Sequence, residues 1–271
     1  MFLIDTHCHI NEKYYPKGLD SLFKNALDNN VKRLILSAEN VASSKEALNL
    51  ARKHSGLPQI KTLAGVHPHE AKKVNDNYLF ELEEIARNSE VVAVGEIGLD
   101  FFYDNSPRDI QKKVFIEQIE LAKKIKKPIS LHIRNAADRS TGDAYFETLK
   151  ILRDTNAEEI GGVIHCFSGN EENAKNALDL GFYISFAGPI TYPKNQQLRE
   201  TAIKIPIDRI LCETDSPYLP PQGFRGKTNE PCHVKSIYEM LAMLKGLSVE
   251  EFSGRVFENV ERVFKWSEAN V

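Results

Sequence analysis

Cysteine is scarce: Cys8, Cys166, Cys212 and Cys232 are the only four in 271 residues, and they form neither a C-x-x-C pair nor a framework spacing. Disulfide staples are therefore not expected, and free thiols point to a reducing compartment. No run approaches the roughly 18 uncharged apolar residues of a membrane span, and no basic segment leading into a short apolar core opens the chain. A cytoplasmic protein without membrane association is expected. Positive charge is also in short supply. With 35 Lys and Arg against 38 Asp and Glu, the net charge of −3 excludes a broad surface for coating nucleic acid, so any such contact must be local. Low-complexity runs, repeats and linkers are missing, which predicts one domain over residues 1–271, and nothing calls for an obligate protein partner. What is present, 42% hydrophobic and 27% charged residues, is the composition of an ordinary globular chain.

Apolar runs and amphipathic segments alternate along the chain. Phe2 to His9, Lys32 to Ser37, Lys61 to Val66, Val91 to Gly95, Pro128 to His132, Gly161 to His165, Phe182 to Phe186 and Arg209 to Cys212 read as strands. Between them Gly18 to Asn29, a segment capped by Ser43 and ending near His54, Tyr78 to Arg87, Pro107 to Lys126, Ala144 to Arg153, Asn173 to Leu180 and a stretch near Leu198 read as helices. Val234 to Trp266 reads as two more, broken near Gly246, with Ser248 capping the second. Eight strands that are apolar throughout, each followed by a helix, predict a parallel α/β sheet buried on both faces and closed into a single (β/α)8 TIM barrel. An open doubly wound sheet is the alternative. Pro217 to Pro231 reads as a long loop after the eighth strand.

In such a barrel the strand ends build the active site. The first strand ends in His7-Cys8-His9, and alternation turns His7 and His9 to one face, where two imidazoles can grip one metal ion. The same parity brings Glu96, His132, His165 and Asp215 from four other strand ends to the mouth. Four histidines and two carboxylates exceed one four-coordinate ion and suit two ions bridged by a carboxylate, with Glu96 as the bridge. Glu213 and Asp5 are expected to lie deeper in supporting positions. Cys8, Cys166 and Cys212 have the opposite parity and should pack outward against helices, and His54 reads as a surface helix end.

His67 and His69 end the third strand at the same mouth. Pro68 between them implies that the chain is already turning, which favours a substrate-facing His67 and leaves His69 unassigned. Arg134, Lys194, Arg225 and Lys227 fall on rim loops where they suit an anionic substrate, although each could be ordinary solvated charge. Phe101, Phe102, Tyr103, Tyr192, Tyr218 and Phe224 share those loops, as stacking platforms for bases or as loop anchors.

Asp5-Thr6-His7-Cys8-His9, Gly65-Val66-His67-Pro68-His69, Gly95-Glu96-Ile97-Gly98-Leu99-Asp100, His132-Ile133-Arg134, His165-Cys166-Phe167-Ser168-Gly169, Glu213-Thr214-Asp215-Ser216-Pro217 and Arg225-Gly226-Lys227-Thr228-Asn229-Glu230-Pro231 together resemble the TatD family of metal-dependent deoxyribonucleases. The resemblance spans nearly the whole chain. It implies a (β/α)8 barrel with a divalent-metal centre, and its ligand positions fall on His7, His9, Glu96, His132, His165 and Asp215. It implies DNA phosphodiester hydrolysis, often as an exonuclease attacking from the 3′ end. On that basis His7, His9 and Asp215 would hold one ion and His132 and His165 the other, with Glu96 between them. The ions would be Mg, Mn or Zn, and Glu96 and Asp215 the catalytic carboxylates. The expected partner is DNA, preferably single-stranded ends. A metal-dependent hydrolase of a small amide, lactone or phosphoester is the enzymatic alternative; a non-enzymatic binding protein is a second alternative, opposed by six convergent metal-type ligands.

Overall fold

The computed structural model describes residues 2–266 except 55, 57, 139 and 141, so the ends of the expected domain, residue 1 and residues 267–271, lie outside the described residues. Eight strands alternate with helices: β1 Leu3–Cys8, α1 Leu19–Asp28, β2 Val31–Leu36, α2 Val41–Lys53, β3 Gln59–Ala64, α3 Tyr78–Ala86, β4 Val91–Asp100 and α4 Arg108–Ile125. Then come β5 Ile129–Arg134, α5 Ala144–Asp154, β6 Gly162–Ile164, α6 Glu171–Asp179, β7 Tyr183–Phe186, α7 Gln196–Lys204 and β8 Ile210–Cys212. Two further helices, α8 Val234–Lys245 and α9 Val249–Phe264, complete the order.

The strands pair in parallel in the order β1 to β8. Beyond the ends of β1 and β8, Asp215 N–H donates to His7 O at 2.9 Å and His9 N–H donates to Ser216 O at 2.6 Å, while the Thr6 hydroxyl donates to Cys212 O at 3.0 Å. These bonds join the edges at the mouth and make the sheet a (β/α)8 barrel rather than an open doubly wound sheet. Every residue of β1 and of β4 is buried, as strands covered on both faces require. The Tyr238 hydroxyl on α8 is buried against β1, donating to Ile4 O at 3.1 Å and accepting from Ile4 N–H at 3.2 Å.

Two local differences from the expected elements have clear causes. Asn40, not Ser43, caps α2. Its side chain accepts from Ser43 N–H and the Ser43 hydroxyl accepts from Asn40 N–H, both at 3.0 Å, so Ser43 is the third-residue half of a capping box. The fourth strand does not stop at Gly95. Val94 pairs with Ile129 and Ile97 with Leu131, so β4 carries one extra residue at a bulge around Gly95 and Glu96 and then continues to Asp100. Close approach sustains that continuation. Gly98 has φ +135°, and a Cβ there would lie 2.1 Å from His132 O.

Candidate metal centre

Strand ends deliver the six expected ligands to one place. Glu96 stands at the β4 bulge with both carboxylate oxygens faced by imidazoles. Its Oε1 lies 2.7 Å from His165 Nε2, 2.9 Å from His132 Nδ1 and 3.5 Å from His67 Nε2. Its Oε2 lies 3.3 Å from His7 Nε2 and 3.6 Å from His9 Nε2. Asp215 joins the second group, with Oδ1 3.5 Å from His9 Nε2 and 3.9 Å from His7 Nε2. It reaches that point because its φ of 55° turns the chain just past β8 while its N–H is tied to His7 O.

Among the described residues, three groups have donor atoms close enough for one ion: His7, His9 and Asp215; His7, His165 and Glu213, which shares His7 with the first; and His67, Glu96 and His132. Imidazole nitrogens and carboxylate oxygens suit Zn, Mn or Mg. The fit is also electrostatic. The centre gathers several imidazoles around a carboxylate that is only 3% exposed, and the positive charge that protonated imidazoles bring to that buried anion is charge a bound cation can supply in their place.

Ionisation follows from this crowding. Burial alone would raise the Glu96 carboxyl, but His165, His67 and His7, with the hydrogen bond from His132, hold it well below the usual range. Burial opposes protonation of His165, yet Glu96 and Glu213 raise it well above an ordinary imidazole. His132 is raised in the same way against burial, by Asp100 and Glu96, and His9 by Asp215 and Glu96. His7 is lowered by burial and by His165 beside it, the two rings being stacked with centroids 3.9 Å apart. Burial pushes His67 down to about 4.

A layer of buried acceptors steadies the ligands. Glu213 accepts from Cys166 N–H at 2.5 Å and lies 3.2 Å from His165 Nδ1, as its expected supporting position implies. Asp5 accepts from Thr214 N–H at 2.9 Å and contacts its hydroxyl at 2.5 Å, and burial raises its carboxyl well above the ordinary range. Asp100 was not expected here. It is fully buried, with Oδ2 3.0 Å from both His69 Nε2 and His132 Nε2. The sequence carried the signal: beyond the bulge, Glu96, Gly98 and Asp100 keep one parity, which ending the strand at Gly95 conceals.

The centre opens into a cavity of about 850 Å³ that Arg134, Lys194, His67 and Tyr218 help to line. His67 lines it from within, buried beside Glu96, and does not stand out on the rim. Arg134 lies over the rings of Phe102 and Tyr103, 4.3 and 4.8 Å from their centroids. Arg225 lies 4.9 Å over Tyr192 and is not part of the cavity wall. Phe102, Tyr103 and Tyr218 are exposed, whereas Phe101 is buried and Phe224 stacks on His233 at 3.8 Å, so the latter two anchor their loops. His54 ends α2 as expected, edge-on to Phe23. Cys8 and Cys212 are buried, but Cys166 overturns its expected outward packing and lines the cavity. Its φ of 43° breaks the strand alternation on which that expectation rested.

A parallel barrel with carboxylates and imidazoles converging at its strand ends defines a metal-dependent hydrolase. The chain belongs to the TatD-related DNase family, whose profile matches residues 4–265. It is 36% identical over 263 residues to an uncharacterized metal-dependent hydrolase, YabD, of Bacillus subtilis, covering 97% of this chain and 99% of that protein. A protein named 3′-5′ ssDNA/RNA exonuclease TatD from Erwinia tasmaniensis is 31% identical over 267 residues, again across 97% of this chain and 99% of its own length. Among solved structures, YjjV, a TatD homologue from Escherichia coli, superposes with a TM-score of 0.89 at 29% identity, covering 98% of each chain.

Proposed function

We propose that this metal-dependent hydrolase is a deoxyribonuclease that removes nucleotides from the 3′ ends of single strands. The observation that carries the reading is the Glu96 carboxylate, faced on each oxygen by a separate set of imidazoles at the floor of a mouth rimmed by cation-bearing aromatics. His7, His9 and Asp215 would hold one divalent ion, His132 and His165 another, and Glu96 would be shared between them. Bound there, Mg, Mn or Zn would neutralise phosphodiester charge and lower the pKa of attacking water from about 15.7 towards about 7.

The chain's own groups supply the remainder. Burial would raise the Asp215 carboxyl, but His9 and His165 keep it below the ordinary range, so at neutral pH it is ionised and can take the proton of the attacking water. Arg134 and Lys194 bind the phosphate oxygens, with Arg225 further out and neutral His67 touching the substrate at the back of the mouth. Phe102, Tyr103 and Tyr218 stack on bases without reading them, each at about 1–3 kcal/mol. A flexible end enters such a mouth more readily than a stiff duplex, and the Erwinia relative's name supports the same polarity. The four free cysteines fit work in the reducing cytoplasm.

The test is a time course on DNA labelled at either end, single-stranded and paired, beside RNA and small esters and amides, with each metal and with chelator. Ladders shortening from the 3′ end, faster on single strands and abolished by chelation, are expected. Early internal cuts in duplex would overturn the end-directed reading. Inactivity on all DNA with turnover of a small ester or amide would transfer the site to small-molecule hydrolysis.

A further inference from the structure

Asp100 has no role in the ligand set, yet its contacts specify one. Asp100 is fully buried, and both of its carboxylate oxygens are used. Oδ1 accepts the N–H groups of Phe102 and Tyr103, each at 2.9 Å, and so fixes the side chain as the acceptor of a tight turn. The backbone is fixed as well: Asp100 N–H donates to Gln111 Oε1 at 2.9 Å and Asp100 O accepts from Gln111 Nε2 at 3.0 Å. Oδ2 is left pointing at His132 Nε2 and His69 Nε2, 3.0 Å from each.

An ionised carboxylate only accepts hydrogen bonds, and both ring nitrogens of His132 face one; once a cation is taken up beside Glu96, the single proton of a neutral His132 belongs on Nε2, where Asp100 accepts it. The nitrogen that remains is Nδ1, which lies 2.9 Å from Glu96 Oε1, at the centre of the ligand group. We propose that Asp100 is a positioning residue that fixes the tautomer of His132, so that Nδ1 presents its lone pair to the metal shared with Glu96. His69, held by the same oxygen, is bonded away from the ligand group at the rim. The inference rests on the reading that His132 holds a metal.

Asp100→Asn tests it with little change of shape. Its amide oxygen can still accept from Phe102 and Tyr103, but the amide nitrogen placed against His132 donates where a carboxylate accepted. The imidazole is then pushed towards carrying its proton on Nδ1, the nitrogen that faces Glu96. Titration of the metal-stripped protein with Zn²⁺ alone, followed calorimetrically, should show one of two sites weakened about 10–100-fold and the other unchanged. A double-mutant cycle identifies the route: with His132→Ala already present, adding Asp100→Asn should weaken Zn²⁺ binding no further. If His132→Ala weakens binding while Asp100→Asn binds as the wild type, or if the two effects add, the inference is overturned. If His132→Ala itself leaves Zn²⁺ binding unchanged, its premise is gone and it falls with the metal assignment, whatever the protein hydrolyses. Imidazole ¹⁵N spectra of the zinc-loaded wild type provide a reading that needs no variant. The proton of His132 is expected on Nε2, and its presence on Nδ1 would overturn the inference.

Discussion

In the proposed mechanism Glu96 and Asp215 have different tasks, and conservative substitutions separate them. Glu96→Gln keeps the size of the side chain but removes the charge that two imidazole groups share, so weakened metal binding should accompany the loss of turnover. Asp215→Asn should lower kcat by about 10²–10⁴-fold, the usual contribution of a positioned proton acceptor, and by more if the lost ligand also displaces an ion. Steady-state kinetics beside a metal titration measure both, and near-normal turnover in either folded variant would show that the centre is misassigned. That these side chains converge could be read from the sequence because strand parity and strand-end placement are local properties. Asp100 lies five residues beyond the expected endpoint at Gly95, past a bulge in β4 that a simple apolar pattern does not show. Cys166 escaped for a related reason, since a residue at φ 43° does not follow the alternation of the strand before it.

At the scale of elements, the mouth depends on how closely strand ends approach, and one kind of substitution should have opposite signs at two glycines. Gly98→Ala would set a methyl 2.1 Å from His132 O at a backbone angle that side chains rarely adopt, pushing β4 and β5 apart beside a ligand. A loss of roughly 2–4 kcal/mol is expected, with reduced metal content. Gly254→Ala, inside α9 with nothing within 4 Å of the added methyl, should gain about 0.5–1 kcal/mol from helix propensity. Urea unfolding of the two variants decides the matter, and equal shifts would contradict the close-approach account. The number and order of strands were legible because each is an apolar run set off by amphipathic helices. The exact start of α2 was not, since Asn40 and Ser43 are both good capping residues and only the reciprocal bonds show which is the cap.

For the whole molecule, the centre couples stability to metal and pH. In the metal-free protein the folded-state pKa values of His9, His132 and His165 are raised above the ordinary 6.5. Their protonated forms therefore contribute stability that is fully present below about 6.5 and is lost as pH rises through the raised values. His67 works the other way: lowered to about 4, it contributes a penalty below 6.5 that is already relieved above it. From pH 6.5 to 8.5 the raised histidines dominate, and the metal-stripped protein should melt at progressively lower temperature. Metal binding has the opposite slope, because it requires neutral imidazoles and so strengthens with pH. An ion at 100 times its Kd adds about 2.7 kcal/mol, which for a chain of this size is roughly 5–10 °C in Tm. Melting curves with chelator and with saturating Mn²⁺ or Zn²⁺ should therefore diverge from pH 6.5 to 8.5, and a gap that stays constant or narrows would show that these imidazoles are not the groups that take up the metal.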